Sequence, residues 1–399
     1  MSVHEILDPR RLNRALLARQ HLLARSAMPP LAMIDHLVGL QAQNPWSPYL
    51  GLWSRLEGRT TPGFRHDELA ELLLSRRAVR IAVMRGTIHL VSAPDALVLP
   101  TLMGPVFARA LRAGTDWGTA LRPWGAGGLA VLAENARAMI AEQPMTPAEL
   151  GAALAARLAP QAPTMPASAL APSALAQGAR SLLPLVQVPP RAVWGRQGAT
   201  RWTTTGAWLG AEPVDLTSAE SRQAALESVA LRYLGAFGPA SVADLQRWCG
   251  LTRMSGVIDG LRPRLVTFRS VEGREIVDLP EAPRPDRDVP APVRFLPDYD
   301  NVLIGHADRS RVISAELRRR LVSANGAVPG TVLVDGRVAA CWRISRAGTG
   351  SSGAATLTVT ALTRLAAHDL DEVHSEADAV VRFMADDADR HEVVVEQTV

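Results

Sequence analysis

A succession of helical segments that ends in a β-hairpin occurs three times in the first 280 residues, and this repetition constrains the fold more than any other feature. In the first copy, apolar residues recur at helical spacing and then alternate as in two neighbouring strands. The predicted helices cover 11–24, about 31–40 and 67–76, and the predicted strands cover 79–84 and 87–91. This order of elements predicts a helical unit followed by a β wing.

The second and third copies repeat that order. In the second, Thr146, with Pro147 at the first helical position and Glu149 in the first turn, is a strong signal for a helix start. The second copy has helices at 95–112, 127–142, from 146 onward and near 169–180, and strands near 182–188 and 200–204. The third has helices at 218–235, from 241 onward and near 253–261, and strands at 264–269 and 274–278. We therefore predict an α+β fold with three tandem winged-helix motifs, over 1–93, 94–212 and 213–280.

A proline-rich segment, 281–292, is predicted to be a linker because so many prolines prevent a regular element. Beyond it, Asp335-Gly336 lies between two β-branched runs, 331–334 and 337–344, which is a strong hairpin signal. A further strand at 355–363, a helix at 370–386 and a last strand near 392–397 complete the pattern. We predict a small β-barrel-like C-terminal domain over 293–399.

The composition bounds the class of protein. A chain of 399 residues with 47% hydrophobic residues should bury a sizeable core in several domains. It has no run of 18 apolar residues and no signal-peptide pattern at the N-terminus, so we expect a cytoplasmic protein without a membrane partner. Cys249 and Cys341 stand alone, and the nine histidines are scattered, so no metal site or disulfide framework is predicted.

The charge permits contact with nucleic acid without requiring it. The formal net charge is +4, and all 43 basic residues are arginine. Sequence-independent binding to DNA needs such residues gathered on one surface, which the sequence does not reveal. The absence of lysine excludes catalysis by a lysine Schiff base.

Two glutamines two positions apart, Gln41 and Gln43, form the most informative local motif. On a helix they would point about 200° apart, whereas in an extended segment they would lie on one side. Pro45 disfavours helix at Asn44, so we expect the preceding helix to end near the pair and both amides to face one pocket. The alternative is that the amides only satisfy free carbonyls at a helix end.

A family resemblance rests on three stretches of sequence. Gln41-Ala-Gln43, continuing as Asn-Pro-Trp-Ser-Pro-Tyr49, resembles the active-site motif of the winged-helix DNA glycosylases of the AlkZ/YcaQ type. The stretch Arg294-Phe-Leu-Pro-Asp-Tyr-Asp-Asn301, running on to Asp308-Arg309, resembles the C-terminal signature of that family. The stretch 85–90 between them also fits. Glutamine rather than aspartate at position 43 places the sequence nearer the AlkZ-like branch.

The resemblance implies a monofunctional DNA glycosylase without a cofactor. It would act as a monomer near the nucleoid on double-stranded DNA that carries alkylated purines, including bulky adducts or interstrand crosslinks made by natural products. Gln41 and Gln43 would be the catalytic residues. Neutral amides are enough if the base is alkylated at N7 or N3, because such a base is cationic and leaves readily. With no lysine available, we expect an abasic site as the product.

Further residues are expected to contact DNA: Trp46 beside the glutamines, Arg85 and His89 in the first predicted hairpin, Arg196 and Trp202 in the second, and Tyr299 in the C-terminal signature. Tyr49 and Trp53 share a helix face and are predicted to be core. Asp298 and Asp300 are predicted to fix a turn rather than to act as a base.

Two other functions remain open. A non-catalytic winged-helix regulator would not need the glutamine pair, and a structural scaffold would bind DNA weakly and without salt dependence. The glycine pattern at 348, 350 and 353 is read as a hairpin loop, because a β-branched strand rather than a helix follows it.

Overall fold

The computed structural model describes residues 5–57, 63–161, 164–321, 328–347 and 353–397, and these have a mixed α+β fold. Numbered along the chain, the helices are α1 (Pro9–Arg19), α2 (Pro30–His36), α3 (Ser47–Trp53), α4 (His66–Leu74), α5 (Ala93–Leu102), α6 (Gly104–Arg112), α7 (Asp116–Leu121), α8 (Gly125–Glu142), α9 (Pro147–Leu158), α10 (Pro172–Leu182), α11 (Thr205–Leu209), α12 (Ala219–Phe237), α13 (Val242–Cys249), α14 (Ser255–Leu261), α15 (Asn301–Ile304), α16 (Ala315–Leu321) and α17 (Ala367–Met384). The strands are β1 (Ile6–Leu7), β2 (Leu40–Gln41), β3 (Ala78–Ala82), β4 (Ile88–Ser92), β5 (Leu185–Gln187), β6 (Trp202–Thr204), β7 (Val266–Ser270), β8 (Glu275–Asp278), β9 (Arg294–Leu296), β10 (Gly330–Val334), β11 (Arg337–Ala347), β12 (Ala354–Ala361) and β13 (Arg390–Glu396).

The chain forms two compact units. Unit 1 contains the described residues of Met1–Arg65, Val229–Trp248 and Met254–Val399, and unit 2 contains those of His66–Ser228 and Cys249–Arg253. The units do not divide at the predicted boundaries of 93 and 212. The division into three winged-helix domains therefore stays a prediction.

Unit 2 joins the first two predicted wings in one antiparallel sheet, in which β4, β3, β5 and β6 lie side by side. The predicted β3–β4 hairpin is confirmed, and Ile81 lies opposite His89. The pairing of β3 with β5, through Arg80 opposite Gln187, was not predicted. Helices α8, α9 and α10 pack on one another around a separate core that includes Leu132, Leu154 and Leu175.

The helices of unit 2 differ from the prediction in several places, and α11 is one of the helices that were not predicted. The helix expected over 95–112 is divided at Met103 into α5 and α6, and α7 was not predicted. The start of α9 is confirmed: the Thr146 side chain accepts a hydrogen bond from the Glu149 backbone, and the Glu149 carboxylate accepts one from the Thr146 backbone at 2.8 Å. This reciprocal cap satisfies two otherwise free N–H groups.

The third predicted motif agrees closely with the structure, where α12, α13 and α14 are followed by the antiparallel pair β7 and β8. Ser241 and Asp244 cap α13, since each side chain accepts a hydrogen bond from the backbone N–H of the other. Strand β1 pairs with β7 in parallel. The two strands are far apart in sequence, so local patterns do not indicate this pairing.

The C-terminal sheet does not close into the predicted barrel among the described residues. Its strands lie in the linear order β13, β12, β11, β10 and β9, which leaves β13 and β9 as edges. Helix α17 connects the parallel strands β12 and β13, and it buries Val373, Val380 and Val381 against the sheet in one core with Phe295 and Leu357. The helix covers the apolar face of the sheet, so this face is buried without closure into a barrel. The predicted turn at Asp335 and Gly336 is confirmed by positive φ values at both residues.

The proline-rich segment 281–292 has no helix or strand, as predicted. It lies within unit 1 and does not separate the two units. Arginines of α1 hold it in place, because they donate hydrogen bonds to the carbonyls of Pro283, Arg287 and Val289. In the described part of the chain, no helix is long and apolar enough to cross a membrane. The glycine pattern predicted as a hairpin loop lies largely in 348–352, outside the described residues.

Candidate active site

The backbone around the glutamine pair changes from helix to extended structure. Helix α2 ends at His36, earlier than predicted, and Val38 and Gly39 follow with φ values of 53° and 92°. The second of these suits glycine, which has no Cβ to clash in the left-handed region. The turn leads into β2, so Gln41 lies in extended backbone, as the proline argument predicts.

The two glutamines have different surroundings. Gln41 is 7% exposed and Ala42 is fully buried, whereas Gln43 is exposed in the bend before α3. Gln41 lines a cavity in unit 1, together with the polar side chains of Gln20, Ser47, Arg55, Asp300 and Asn301. Its volume is about 10 Å³, which is near the lower limit for holding one water molecule. The expectation that both amides face one pocket is therefore met by Gln41 and not by Gln43.

A buried hydrogen-bond network around Arg55 forms one wall of this cavity. The guanidinium donates to the carbonyl of Gly51 at 2.9 Å, and to the side chains of Gln20 and Asp300 at 3.0 Å each. Asp300 in turn caps α15 by accepting a hydrogen bond from the Val302 backbone at 2.9 Å. The predicted turn-fixing role of Asp300 is thus confirmed, and its charge is balanced by that of Arg55.

Asp298 connects the C-terminal signature to the segment after the glutamines. Its carboxylate accepts a hydrogen bond from the Ser47 hydroxyl and a longer one, 3.4 Å, from the Asn44 amide. Burial raises the pKa of Asp298 above its usual value, although these hydrogen bonds oppose the shift. Tyr299 follows with a φ of 58°, in a region that residues other than glycine rarely adopt.

The aromatic residues near the glutamines differ in burial. Tyr49 is fully buried, as predicted for a core residue. Trp46 is half-buried, with its ring centre 6.2 Å from that of Tyr49. Trp53 stacks on Phe383, and the guanidinium of Arg25 lies 4.5 Å from the centre of its ring. Trp46 is therefore the aromatic side chain of this segment that keeps surface beside the glutamines.

The remaining predicted contact residues, in unit 2, differ in exposure. Arg85 is half-buried with a φ of 57°, and Arg196 is exposed. His89 is fully buried, and burial together with the nearby charge of Arg85 lowers its pKa to about 3. Trp202 is 4% exposed and belongs to the core around α8–α10. The burial of His89 and Trp202 argues against direct contact between these two side chains and DNA.

Some residues of the site were missed in the sequence. Arg55 is a charged residue just after the largely apolar helix α3. A charge beside an apolar helix was the feature of the sequence that could have identified it. Gln20 gave no such signal, because it lies at the end of α1 among exposed-looking polar residues. Among the described residues, no group of three or more His, Cys, Asp or Glu side chains could hold a metal ion.

Comparisons with known proteins concern the family and the fold of this chain. The family model described as "DNA glycosylase AlkZ-like" matches residues 34–383. An interstrand DNA cross-link repair glycosylase of Streptomyces sahachiroi is 32% identical over 134 residues, which are 30% of this chain and 34% of that protein. The match thus spans about a third of the relative's length. The solved structure of Streptomyces sahachiroi DNA glycosylase AlkZ has a similar fold, with a TM-score of 0.70 at 21% identity, over 98% of this chain and all of that one.

Proposed function

Since this chain belongs to the AlkZ-like family of DNA glycosylases, we propose that it hydrolyses the N-glycosidic bond of cationic, N7- or N3-alkylated purines in double-stranded DNA. The observation that carries the proposal is the position of Gln41, a buried neutral amide on a cavity near the lower limit for holding one water molecule. A side chain fixed in this way can orient a water molecule without adding charge to the site.

The chemistry follows from the charge of the lesion. An alkylated purine leaves with the bonding electrons and becomes neutral, while positive charge develops on the sugar. Water then bonds to the anomeric carbon and releases one proton to solvent, which leaves a neutral abasic sugar. The amide oxygen of Gln41 would hold the attacking water, and exposed Gln43 would contact the sugar or that water from the DNA side. The Arg55–Asp300 pair keeps the wall of the cavity polar but close to neutral, which suits a cationic substrate.

The finer features of the substrate are also proposals. The Streptomyces sahachiroi relative is an interstrand DNA cross-link repair glycosylase, which supports crosslinks as lesions of this protein; bulky natural-product adducts follow from the sequence resemblance. A crosslinked base cannot leave the duplex freely, so the lesion would be read within the duplex rather than flipped into a closed pocket. Trp46, Arg85 and Arg196 of the first two winged-helix motifs and Tyr299 of the C-terminal domain would contact the DNA. The protein, with three tandem winged helices, would act as a monomer near the bacterial nucleoid.

The product should be an abasic site. All 43 basic residues are arginine, so a lysine amine cannot attack the sugar to form a Schiff base. Water is then the nucleophile, and no cofactor or metal is required for hydrolysis of a cationic lesion.

The test uses duplex DNA containing N7-methylguanine, with alkali cleavage to count abasic sites. We expect product from the wild type and a loss of about 100-fold or more in Gln41→Ala and Gln43→Ala, a typical cost of removing one positioned polar group. Gln197→Ala, which removes an exposed glutamine of unit 2, is the matched control and should retain full activity. Thermal unfolding of each variant separates lost chemistry from lost folding, which matters most for buried Gln41.

The second candidate function is a non-catalytic winged-helix regulator. It predicts DNA binding by the wild type without abasic product, and equal binding by both glutamine variants. Wild-type protein that binds the lesion-containing duplex and never releases the base would overturn the glycosylase proposal.

A further inference from the structure

Four arginines line an open cleft in unit 1, separate from the cavity at Gln41. They come from three segments: Arg247 from α13, Arg309 from the segment after α15, and Arg318 and Arg319 from α16. Ala307 completes the lining, and no carboxylate is among these residues. The cleft has a volume of about 640 Å³, ample for an extended ligand and far larger than the cavity at Gln41.

The position of Arg309 beside α13 is set by the buried carboxylate of Asp244. This carboxylate caps α13 and also accepts hydrogen bonds from the backbone N–H groups of Ala307 and Asp308, at 2.9 and 3.2 Å. Arg311 lies 3.8 Å from it. One buried anion thus holds the segment of Arg309 against the helix that carries Arg247, so the charges on the two sides of the cleft are brought together by the fold.

These positive charges lack acidic partners within the described residues. The nearest carboxylate in sequence, Asp308, is paired with Arg274, and Glu316 on α16 makes no ion pair with the cleft arginines. Arg309 itself donates only a long hydrogen bond, 3.4 Å, to the His306 carbonyl. Burial and the charges of Arg247 and Arg318 lower the pKa of Arg309 to about 10. Like charges held together in this way raise the free energy of the unliganded protein, and an anion in the cleft would relieve it.

We propose that this arginine cleft binds consecutive phosphates of the DNA backbone, outside the site where the glycosidic bond is cleaved. The choice of DNA as the source of phosphate rests on the proposed function. Guanidinium groups suit this ligand because they present a planar fork of donors to phosphate oxygens. The contact would be independent of sequence and of the lesion, and it would fix the register of the protein on the duplex.

The experiment measures binding of undamaged duplex over a range of salt concentrations. The slope of log Kobs against log salt is negative, and each lost phosphate contact reduces its magnitude by about 0.9. We therefore expect the magnitude to decrease by about 1 in Arg309→Gln and by about 2 or more in the variant Arg247→Gln/Arg309→Gln/Arg318→Gln. Arg309→Lys should restore most of the slope, because lysine keeps the charge. The double variant Arg318→Gln/Arg319→Gln changes only exposed side chains of α16 and covers the case in which loss of half-buried Arg309 impairs folding.

The matched control is Arg320→Gln, on the same helix but outside the cleft lining, where it donates to the Leu362 carbonyl. Its slope should equal that of the wild type. An unchanged slope in the triple variant, or an equal decrease in Arg320→Gln, would overturn the proposal. The proposal would also be overturned if the cleft variants lost binding of inorganic pyrophosphate but kept the wild-type salt slope for DNA. Because undamaged DNA is used, a failure of the glycosylase proposal would appear as missing abasic product and would leave these slopes readable.

Discussion

The guanidinium of Arg55 lies 3.0 Å from the carboxylate of Asp300, and the two side chains are 2% and 3% exposed. Arg55 follows the helix after the glutamine pair, and Asp300 begins the helix of the C-terminal signature, 245 positions later. The two most recognisable stretches of the sequence are therefore joined by a buried ion pair at the wall of the Gln41 cavity.

Removal of one partner should be costly, because the other charge is left buried and unpaired. We expect Asp300→Ala to lower the free energy of unfolding by about 3–5 kcal/mol, measured by urea denaturation. Asp378→Ala breaks an exposed pair with Arg382, which water and salt screen, and should lower the free energy of unfolding far less. Similar losses in the two variants would show that the buried pair contributes no more than the exposed one.

Asp298 should give the activity an acid limb. Burial raises its pKa, so the carboxylate becomes protonated at a higher pH than an exposed aspartate, and its acceptance of the Ser47 hydrogen bond weakens as the pH falls. We expect kcat/KM to fall with decreasing pH in the wild type. In Asp298→Asn the limb should disappear and the plateau should be about tenfold lower, since an amide oxygen keeps the hydrogen bond without the charge. An unaltered pH profile in Asp298→Asn would assign the limb to another group.

Elements with strong local signals were predictable from the sequence. Caps such as those at Thr146 and Ser241 gave the starts of α9 and α13, and the Asp335-Gly336 turn gave the β10–β11 hairpin. The pairing of β3 with β5 joins Arg80 to Gln187, and no local pattern specifies a partner so far along the chain. The parallel return of β12 to β13 through α17 was missed for the same reason, and an open sheet was predicted as a barrel.

The sequence predicted the extended backbone conformation at the candidate site, but it did not predict which side chains are buried there. Extended structure at Gln41 is confirmed, but the helix before it ends at His36, ahead of a left-handed turn at Val38 and Gly39 that the argument from Pro45 did not predict. The alternation rule then predicted one shared face, but the bend before α3 leaves Gln43 exposed while Gln41 is buried. Trp202 is buried in the core around α8–α10, and most of that core lies far from Trp202 in sequence, so a motif within one hairpin cannot reveal its burial.

The absence of lysine makes a further prediction about the mechanism. Borohydride traps a Schiff base between an enzyme amine and the sugar as a covalent protein–DNA adduct. We expect no adduct when this protein and a lesion-containing duplex are treated with borohydride during turnover, because its 43 basic side chains are all arginine. A lysine-dependent glycosylase treated in parallel should be trapped. An adduct with this protein would point to another amine, such as the chain terminus, and would contradict simple hydrolysis.

Buried His89 should make the protein less stable in mild acid. Its pKa is lowered from 6.5 to about 3 by burial and by the charge of Arg85, so below pH 6.5 the unfolded chain binds a proton that the folded chain does not. Above pH 6.5 the titration of His89 does not lower the free energy of unfolding. As the pH falls from 6.5 toward about 3, this free energy decreases by up to about 1.4 kcal/mol per pH unit. We expect His89→Gln to flatten the dependence of the unfolding free energy on pH between 6 and 4, measured by chemical denaturation. His368→Gln, which replaces a side chain that is 80% exposed, should leave the slope unchanged. Equal slopes in wild type and His89→Gln would mean that His89 accepts its proton without unfolding.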